Sequence, residues 1–357
     1  MRLAAHYIFV IGIYMPFSFS SHLRKVLADP DIAIDLGTAN TRLYAQGHGL
    51  LADEPSIVQM DSDSGMFAAA GLTATHKTVL ERNAHLVSPL HAGVITDENA
   101  ATALLKPLLK RARRFGLMRP RVLACAPTDA CETERAALVE ATRRAGASAV
   151  VLVPEPMAAA IGIGMDISLE HAQMLVDIGD GVTDIAVIRS GSLISTAATR
   201  TACSDLISVV AELIAGQHGI EIYRREAHRL VKQVGTGQQK HPASPYVVAG
   251  ADCETGLLRR VYVRGEEVAP VMQPVLHVIV NAVCQALRDL PDEVACEVIE
   301  SGIRLTGGGA CLTGMADLLA AETSLEVRPA RDPLHAVING ARQMLAVGIQ
   351  TDIWSAH

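Results

Sequence analysis

Twice in this chain a short apolar run ends in an aspartate followed by a glycine-bearing turn rich in hydroxyls, and few folds repeat such a unit. The first copy is Ile32–Thr41 (IAIDLGTANT) and the second is Met174–Asp184 (MLVDIGDGVTD). Each predicts a strand, a tight turn and a second strand, the latter at 43–45 and 185–188. Such a turn aims backbone N–H groups and a threonine hydroxyl at one point, which suits a phosphate. An aspartate at the strand end cannot hold a phosphate directly, but it can hold Mg²⁺ or orient a water. Two such hairpins facing each other would clamp a triphosphate and its metal from both sides. One copy is a weak signal; the duplicate is a strong one.

The rest of the composition fits a two-lobed intracellular protein. At 357 residues the chain exceeds what one hydrophobic core usually spans. Aromatics make up only 3%, so the core must be built from Ala, Val, Leu and Ile. A formal charge of −7 gives no support for a nucleic-acid partner. The seven cysteines (Cys125, Cys131, Cys203, Cys253, Cys284, Cys296, Cys311) show no CxxC or other metal-ligand spacing. They read as reduced, buried thiols of the cytosol.

The first 28 residues read as a leader. Residues 1–20 are apolar around Tyr7–Tyr14 (YIFVIGIY), a run short for a membrane span. Met15 is an alternative start, leaving a short basic, apolar lead-in. That lead-in is read either as lying on a membrane surface or as a disordered tail.

Beyond it, strands and helices alternate. Pro55–Met60 reads as a strand, and the polar stretch 61–83 as a small insert. Residues 98–114 carry the apolar stripe Leu104, Leu105, Leu108, Leu109 of a helix, blemished by Pro107. A buried strand at 121–126, a helix at 132–145 stopped by Gly146, a strand at 149–153 and a helix from Pro156 to Gly162 follow. After the second hairpin, 206–235 is largely helical with a break at Gly216–Gly219, and 236–256 is the loosest stretch. A strand at 261–263, a long helix at 266–287, a strand at 302–305, the loop Thr306–Ala310 (TGGGA) and a helix from Leu312 complete the pattern. This alternation argues an α/β fold with mixed sheets.

With these residues in view, the chain resembles the bacterial actin family MreB, within the actin, sugar kinase and heat-shock-chaperone ATPase superfamily. The resemblance runs from about residue 31 to 347. It is carried by Asp31–Thr41, Asp53–Ser56 (DEPS), Gly93–Asp97 (GVITD), Glu155–Gly162 (EPMAAAIG), Val176–Thr183 (VDIGDGVT), Leu305–Ala310 and Asp332–Leu334. The resemblance implies an actin-like ATPase fold, two RNase H-like lobes with mixed five-stranded sheets and inserted subdomains around a nucleotide cleft. Lobe I would span 29–167 with an insert at about 59–87. Lobe II would span 168–334 with an insert at about 205–264, and a helix at about 335–350 is expected to return to lobe I.

By the same resemblance the cofactors are ATP and Mg²⁺. Asp35 and Asp177 match the carboxylates that face metal and triphosphate, the metal being held through water. Gly37, Thr38, Ala39, Asn40 and Thr41 match the first phosphate loop, and Gly179, Asp180, Gly181, Val182 and Thr183 the second. Glu155 matches the residue that orients the attacking water, a role a carboxylate suits. It also stands where an acid offsets a helix dipole. Gly307, Gly308, Gly309 and Ala310 match the adenosine loop. The family's adenosine-side Glu and Lys correspond to His228 and Val231, or to Lys232 with a one-residue shift. Two further departures are Thr201–Asp205 (TACSD), where relatives carry Gly-Gly-Asp, and Asp180, where they usually carry glycine.

A basic stretch, Lys106, Lys110, Arg111, Arg113 and Arg114, precedes Phe115-Gly116-Leu117-Met118. Basic residues beside an apolar tip suit an anionic lipid surface; the other reading is a solvated helix end with Leu117 and Met118 in the core. MreB proteins resemble this in using an apolar loop at this place, so Phe115, Leu117 and Met118 are the expected membrane contacts. The implied function is a polymerising ATPase, a filament on the inner face of the cytoplasmic membrane that helps set rod shape by organising cell-wall synthesis. The implied partners are further copies of itself and the membrane proteins of cell shape and wall synthesis, not nucleic acid. A nucleotide-poor structural paralogue and a small-molecule kinase of the same superfamily are the alternatives.

Overall fold

The computed structural model describes residues 31–61, 66–78, 84–113, 118–237 and 244–347. Two five-stranded sheets organise them. The first runs in the order Ala149–Pro154, Arg121–Ala126, Ile32–Leu36, Asn40–Ala45, Gly49–Pro55. The second runs Val327–Pro329, Ile303–Thr306, Gln173–Ile178, Thr183–Arg189, Ser192–Thr199. In each, an antiparallel three-strand meander continues into two parallel strands. The sheets are therefore two copies of one topology, as the duplicated hairpin requires.

The central strands are buried on both faces, which is why IAIDL, RVLACA and QMLVDI read as continuous apolar runs. Lobe I buries Leu104, Leu105, Leu108 and Leu109 of helix Glu98–Arg111 against its sheet. That helix starts where Asp97 accepts a hydrogen bond from the Ala100 N–H at 2.9 Å. Pro107 is accommodated within it. Lobe II buries Val268, Met272, Leu276, Ile279 and Val283 of helix Gly265–Arg288. This helix is long and apolar enough to cross a membrane, but that apolar face lies in the lobe II core.

A third core lies between the sheets and is built on two crossed helices. Glu155–Gly162 follows the last strand of the first sheet yet packs on strands Gln173–Ile178 and Thr183–Arg189 of the second. Ala336–Val347 follows the second sheet yet packs on strands Ile32–Leu36, Asn40–Ala45 and Arg121–Ala126 of the first. Where the helices cross, a Cβ on Gly162 would fall inside the Ala336 carbonyl oxygen, and one on Gly340 inside the Ala158 carbonyl oxygen. Only glycine permits that backbone-to-backbone approach.

Several sequence expectations are corrected. Pro55 closes the strand Gly49–Pro55, and the next strand, Val58–Asp61, belongs to a small three-stranded sheet with Phe67–Ala70 and Ala84–Val87. The stretch read as loosest contains strand Tyr246–Asp252, paired to Leu258–Val263. The helix expected from Leu312 begins at Met315, after a tight turn at Gly308–Cys311. The helical break falls at Gly219, with Gly216 inside the helix Cys203–His218. The cysteines are all free, but only Cys125 is buried; Cys131, Cys253 and Cys296 are exposed. Cys131 precedes the first turn of helix Glu132–Ala145 and Cys253 follows strand Tyr246–Asp252, so neither sits on a core-facing position. The leader, Arg114, Phe115, Gly116 and Leu117 lie outside the described residues. Met118 is 49% exposed, so it is not a core residue.

Candidate nucleotide cleft

The paired hairpins place their turns by the same bond. Gly37 N–H donates to the Asn40 carbonyl at 3.1 Å, and Gly179 N–H to the Val182 carbonyl at 2.9 Å. In register, Asp35 lies opposite Arg42 and Asp177 opposite Asp184. The turns meet across a cleft of about 330 Å³. At Gly181 a Cβ would strike the Thr38 hydroxyl and the Gly93 nitrogen, so the loops abut only because this position lacks a side chain.

Of the residues read from sequence, Asp35, Gly37, Thr38, Ala39, Asn40, Glu155, Asp177, Gly179, Asp180, Gly181, Val182, His228, Val231, Lys232, Gly307 and Gly308 line this cleft. Val231 and Lys232 thus both line it, whichever register is chosen. Four others stand behind the wall. Thr41 is fully buried with its hydroxyl 2.8 Å from that of Ser56, and the Thr183 hydroxyl donates to the Thr201 carbonyl at 2.9 Å. Gly309 packs under Ile178, and Ala310 packs against the lobe II core. These are framework positions because strand alternation turns both threonines inward and the glycine turn rolls over after Gly308.

Each lobe contributes carboxylates to the cleft: Asp35 and Glu155 from one, Asp177 and Asp184 from the other. Burial raises Asp35, although Arg42 counters it with a hydrogen bond to Oδ2 at 3.2 Å. Burial, with Asp184 and Asp35 nearby, pushes Asp177 up to about 8. Asp184 is pushed up to about 6, chiefly by burial, while the Thr128 N–H (3.0 Å) and hydroxyl (2.8 Å) hold its Oδ1. Burial beside Asp184, Asp35 and Asp177 raises Glu155 well above the ordinary glutamate range. Four desolvated acids, with Arg42 beside Asp35 and Asp177 and Arg200 beside Asp184, leave a cleft that favours a cation. Beside it, Gly307 provides a cradle in which a Cβ would collide with Asp177 and the Ile178 carbonyl. These residues fit a closely approaching phosphate; among the described residues no three His, Cys, Asp or Glu side chains group closely enough to ligate a metal directly, so a divalent cation here would be held through water.

The sign of these shifts gives a prediction. Between the unfolded carboxylate value near 3.8 and the folded values, the native state holds protons that the unfolded chain releases. That stability is fully present below 3.8 and is lost as pH rises through about 6 for Asp184 and about 8 for Asp177. Without divalent cation, the melting temperature is expected to fall by several degrees from pH 6 to pH 9, and Asp177→Asn to flatten the fall. Circular-dichroism melts in EDTA check this; an unchanged slope in the variant would refute it.

Sequence reasoning left other residues of the site unassigned. Arg42 ties Asp35 to Asp53 through contacts of 3.2 Å each, and Asp53 accepts from Asn40 Nδ2 at 3.0 Å. His335 joins Asp53 (3.2 Å) to Asp332 (2.8 Å), linking the returning chain to the first loop, and these acids raise its pKa. Leu206, Ile207, Cys311 and Leu312 supply an apolar wall. The matching hairpin registers could have singled out Asp184 and Arg42; the apolar wall has no local signature. Burial, with Lys232 and Arg224 nearby, lowers the His228 pKa against the opposing pull of Asp180.

The family profile described as MreB/Mbl protein matches residues 29–351. The chain is 35% identical over 319 residues to the cell shape-determining protein Mbl of Bacillus subtilis, covering 88% of this chain and 95% of that one. It is 35% identical over 324 residues to the cell shape-determining protein MreB of Escherichia coli, covering 88% and 93%. Among solved structures it is similar to MreB 5 of Spiroplasma citri bound to AMPPNP, with a TM-score of 0.81 and 29% identity over 89% of this chain and 96% of that one.

Proposed function

The chain belongs to the MreB/Mbl family and has its actin-like fold, and from that premise we propose that it is a cytoskeletal ATPase that assembles on the membrane. The observation that carries the reading is the convergence of two phosphate-type turns and four desolvated carboxylates on one cleft. Asp35 and Asp177 would hold Mg²⁺, through water, against the triphosphate, and Thr38, Asn40 and the loop N–H groups would hold the phosphates. The bound cation would neutralise charge on the terminal phosphate and draw protons from the surrounding acids.

Glu155 opens its helix at the floor of the cleft, and no donor among the described residues reaches its carboxylate. Burial and the neighbouring acids favour its protonated form here, so it would accept a proton from an attacking water once a bound cation has drawn its own proton away. Nucleotide binding is supported by the AMPPNP and ADP complexes of the Spiroplasma citri relative. Polymerisation, a place at the inner face of the cytoplasmic membrane and the organising of wall synthesis extend the relatives' cell-shape role to this chain. Half-exposed Met118, close in sequence to Lys106, Lys110 and Arg113, supports the lipid contact.

A single weak lipid contact becomes effective when a polymer repeats it. Electron microscopy is therefore expected to show filaments with Mg–AMPPNP. Co-sedimentation with phosphatidylglycerol vesicles should follow assembly and weaken with salt. Leu117→Ser/Met118→Ser should lower pelleting severalfold without preventing assembly. Equal pelleting of variant and wild type would sink the membrane contact, and no assembly with any nucleotide would sink the filament.

A further inference from the structure

The two hairpins differ most at one turn position. Thr38 in the first and Asp180 in the second are equivalent, and both line the cleft. A hydroxyl there can donate to a phosphate, whereas a bare carboxylate repels one. Asp180 is not bare: Nη2 of Arg224 donates to its Oδ1 at 2.6 Å and its Oδ2 at 2.7 Å. Both bonds come from one nitrogen, so the Nε and Nη1 protons of Arg224 keep no acceptor among the described residues.

The guanidinium is 54% exposed and stands behind the cleft-lining Asp180 rather than in the lining itself. It opens helix Arg224–Val234, and His228 and Lys232 follow it on the same face at four-residue steps, both in the cleft wall. Apart from Lys232, which also lines the wall, the cleft offers no uncommitted cation among the described residues. Asp35, Glu155, Asp177, Asp180 and Asp184 line it, and Arg42 is already committed to Asp35 and Asp53.

We propose that Arg224 is a phosphate-binding residue of this cleft, aimed by Asp180, that selects nucleoside di- and triphosphates over nucleosides. Asp180 fixes one nitrogen, and the unspent N–H groups are left for an anionic oxygen, the fork geometry that makes arginine a phosphate ligand. The inference rests on the reading of the cleft as a Mg–nucleotide site.

Calorimetric titration of the full chain with Mg–AMPPNP and with adenosine tests it, using wild type, Arg224→Gln, Asp180→Gly and the double variant, each checked for an unchanged melt. Arg224→Gln is expected to weaken Mg–AMPPNP about tenfold or more and to leave adenosine unchanged. The same substitution in the Asp180→Gly background should still weaken Mg–AMPPNP, but by less than in the wild-type background, because the guanidinium there is no longer aimed. If Arg224 only neutralises Asp180, the double variant will bind Mg–AMPPNP as wild type does, and the inference is overturned. A matching loss for adenosine overturns it too, because the pair would then only brace the helix. Wild type that binds no Mg–nucleotide removes the reading of the cleft as well; wild type that binds while Arg224→Gln binds equally removes the inference alone.

Discussion

Gly340→Ala is expected to destabilise the protein by about 3 kcal/mol or more, as a forced overpacking of two backbones. The new methyl would occupy the Ala158 carbonyl oxygen, with the Gly162 nitrogen 2.9 Å away, so no rotamer change can relieve it. Gly162→Ala meets the Ala336 carbonyl from the other side and should cost a similar amount. Gly216→Ala is the control. It lies inside a helix with nothing within 4 Å of the added carbon, so the expected change is neutral or stabilising by up to about 1 kcal/mol. Urea unfolding midpoints compare the three; a Gly340→Ala protein as stable as the control would show that the helices part without cost.

Asp177→Ala and Glu155→Gln are expected to separate binding from chemistry. The first removes a cation-facing carboxylate and should weaken Mg–nucleotide at least tenfold, while raising stability near pH 8 by deleting an acid whose pKa is pushed to about 8. The second leaves the phosphate loops and Asp177 intact and should hold nucleotide affinity within about twofold. Its turnover should fall about a hundredfold or more, because a proton-accepting group acts in the transition state. Phosphate-release assays beside calorimetry give the split. Parallel losses of binding and turnover in Glu155→Gln would make the residue a helix-start acid and nothing more.

Much of the cleft was legible because its chemistry is local. A strand, an aspartate and a glycine turn lie within ten residues, and the second copy confirms the first in the same order. What escaped was assembled from a distance. Strand Ser192–Thr199 alternates exposed and half-buried residues along a sheet edge, so its small polar side chains carry no apolar run. Strand Tyr246–Asp252 hides in a stretch bearing glycine, glutamine and proline because its pairing partner, Leu258–Val263, defines it. The apolar wall of Leu206, Ile207, Cys311 and Leu312 combines two segments of the chain that only the lobe II core brings together. Thr41 and Thr183 sit inside the motif, but both are buried and their hydroxyls meet Ser56 and the Thr201 carbonyl, partners that the motif alone does not reveal.

The exchange of crossed helices carries a consequence for how the chain is made. Strands Ile32–Leu36 and Arg121–Ala126 leave the ribosome early, yet Ala33 and Leu123 are covered by a helix that ends at Val347. Until the chain has been synthesised through Val347, the part of the first sheet that this helix covers lacks it. A nascent chain that stalls late would present that apolar face to chaperones or to other chains, a known route to misassembly in larger proteins. The finished molecule has the complementary property. Neither lobe can be excised as an independent unit, because each holds the segment that completes the other.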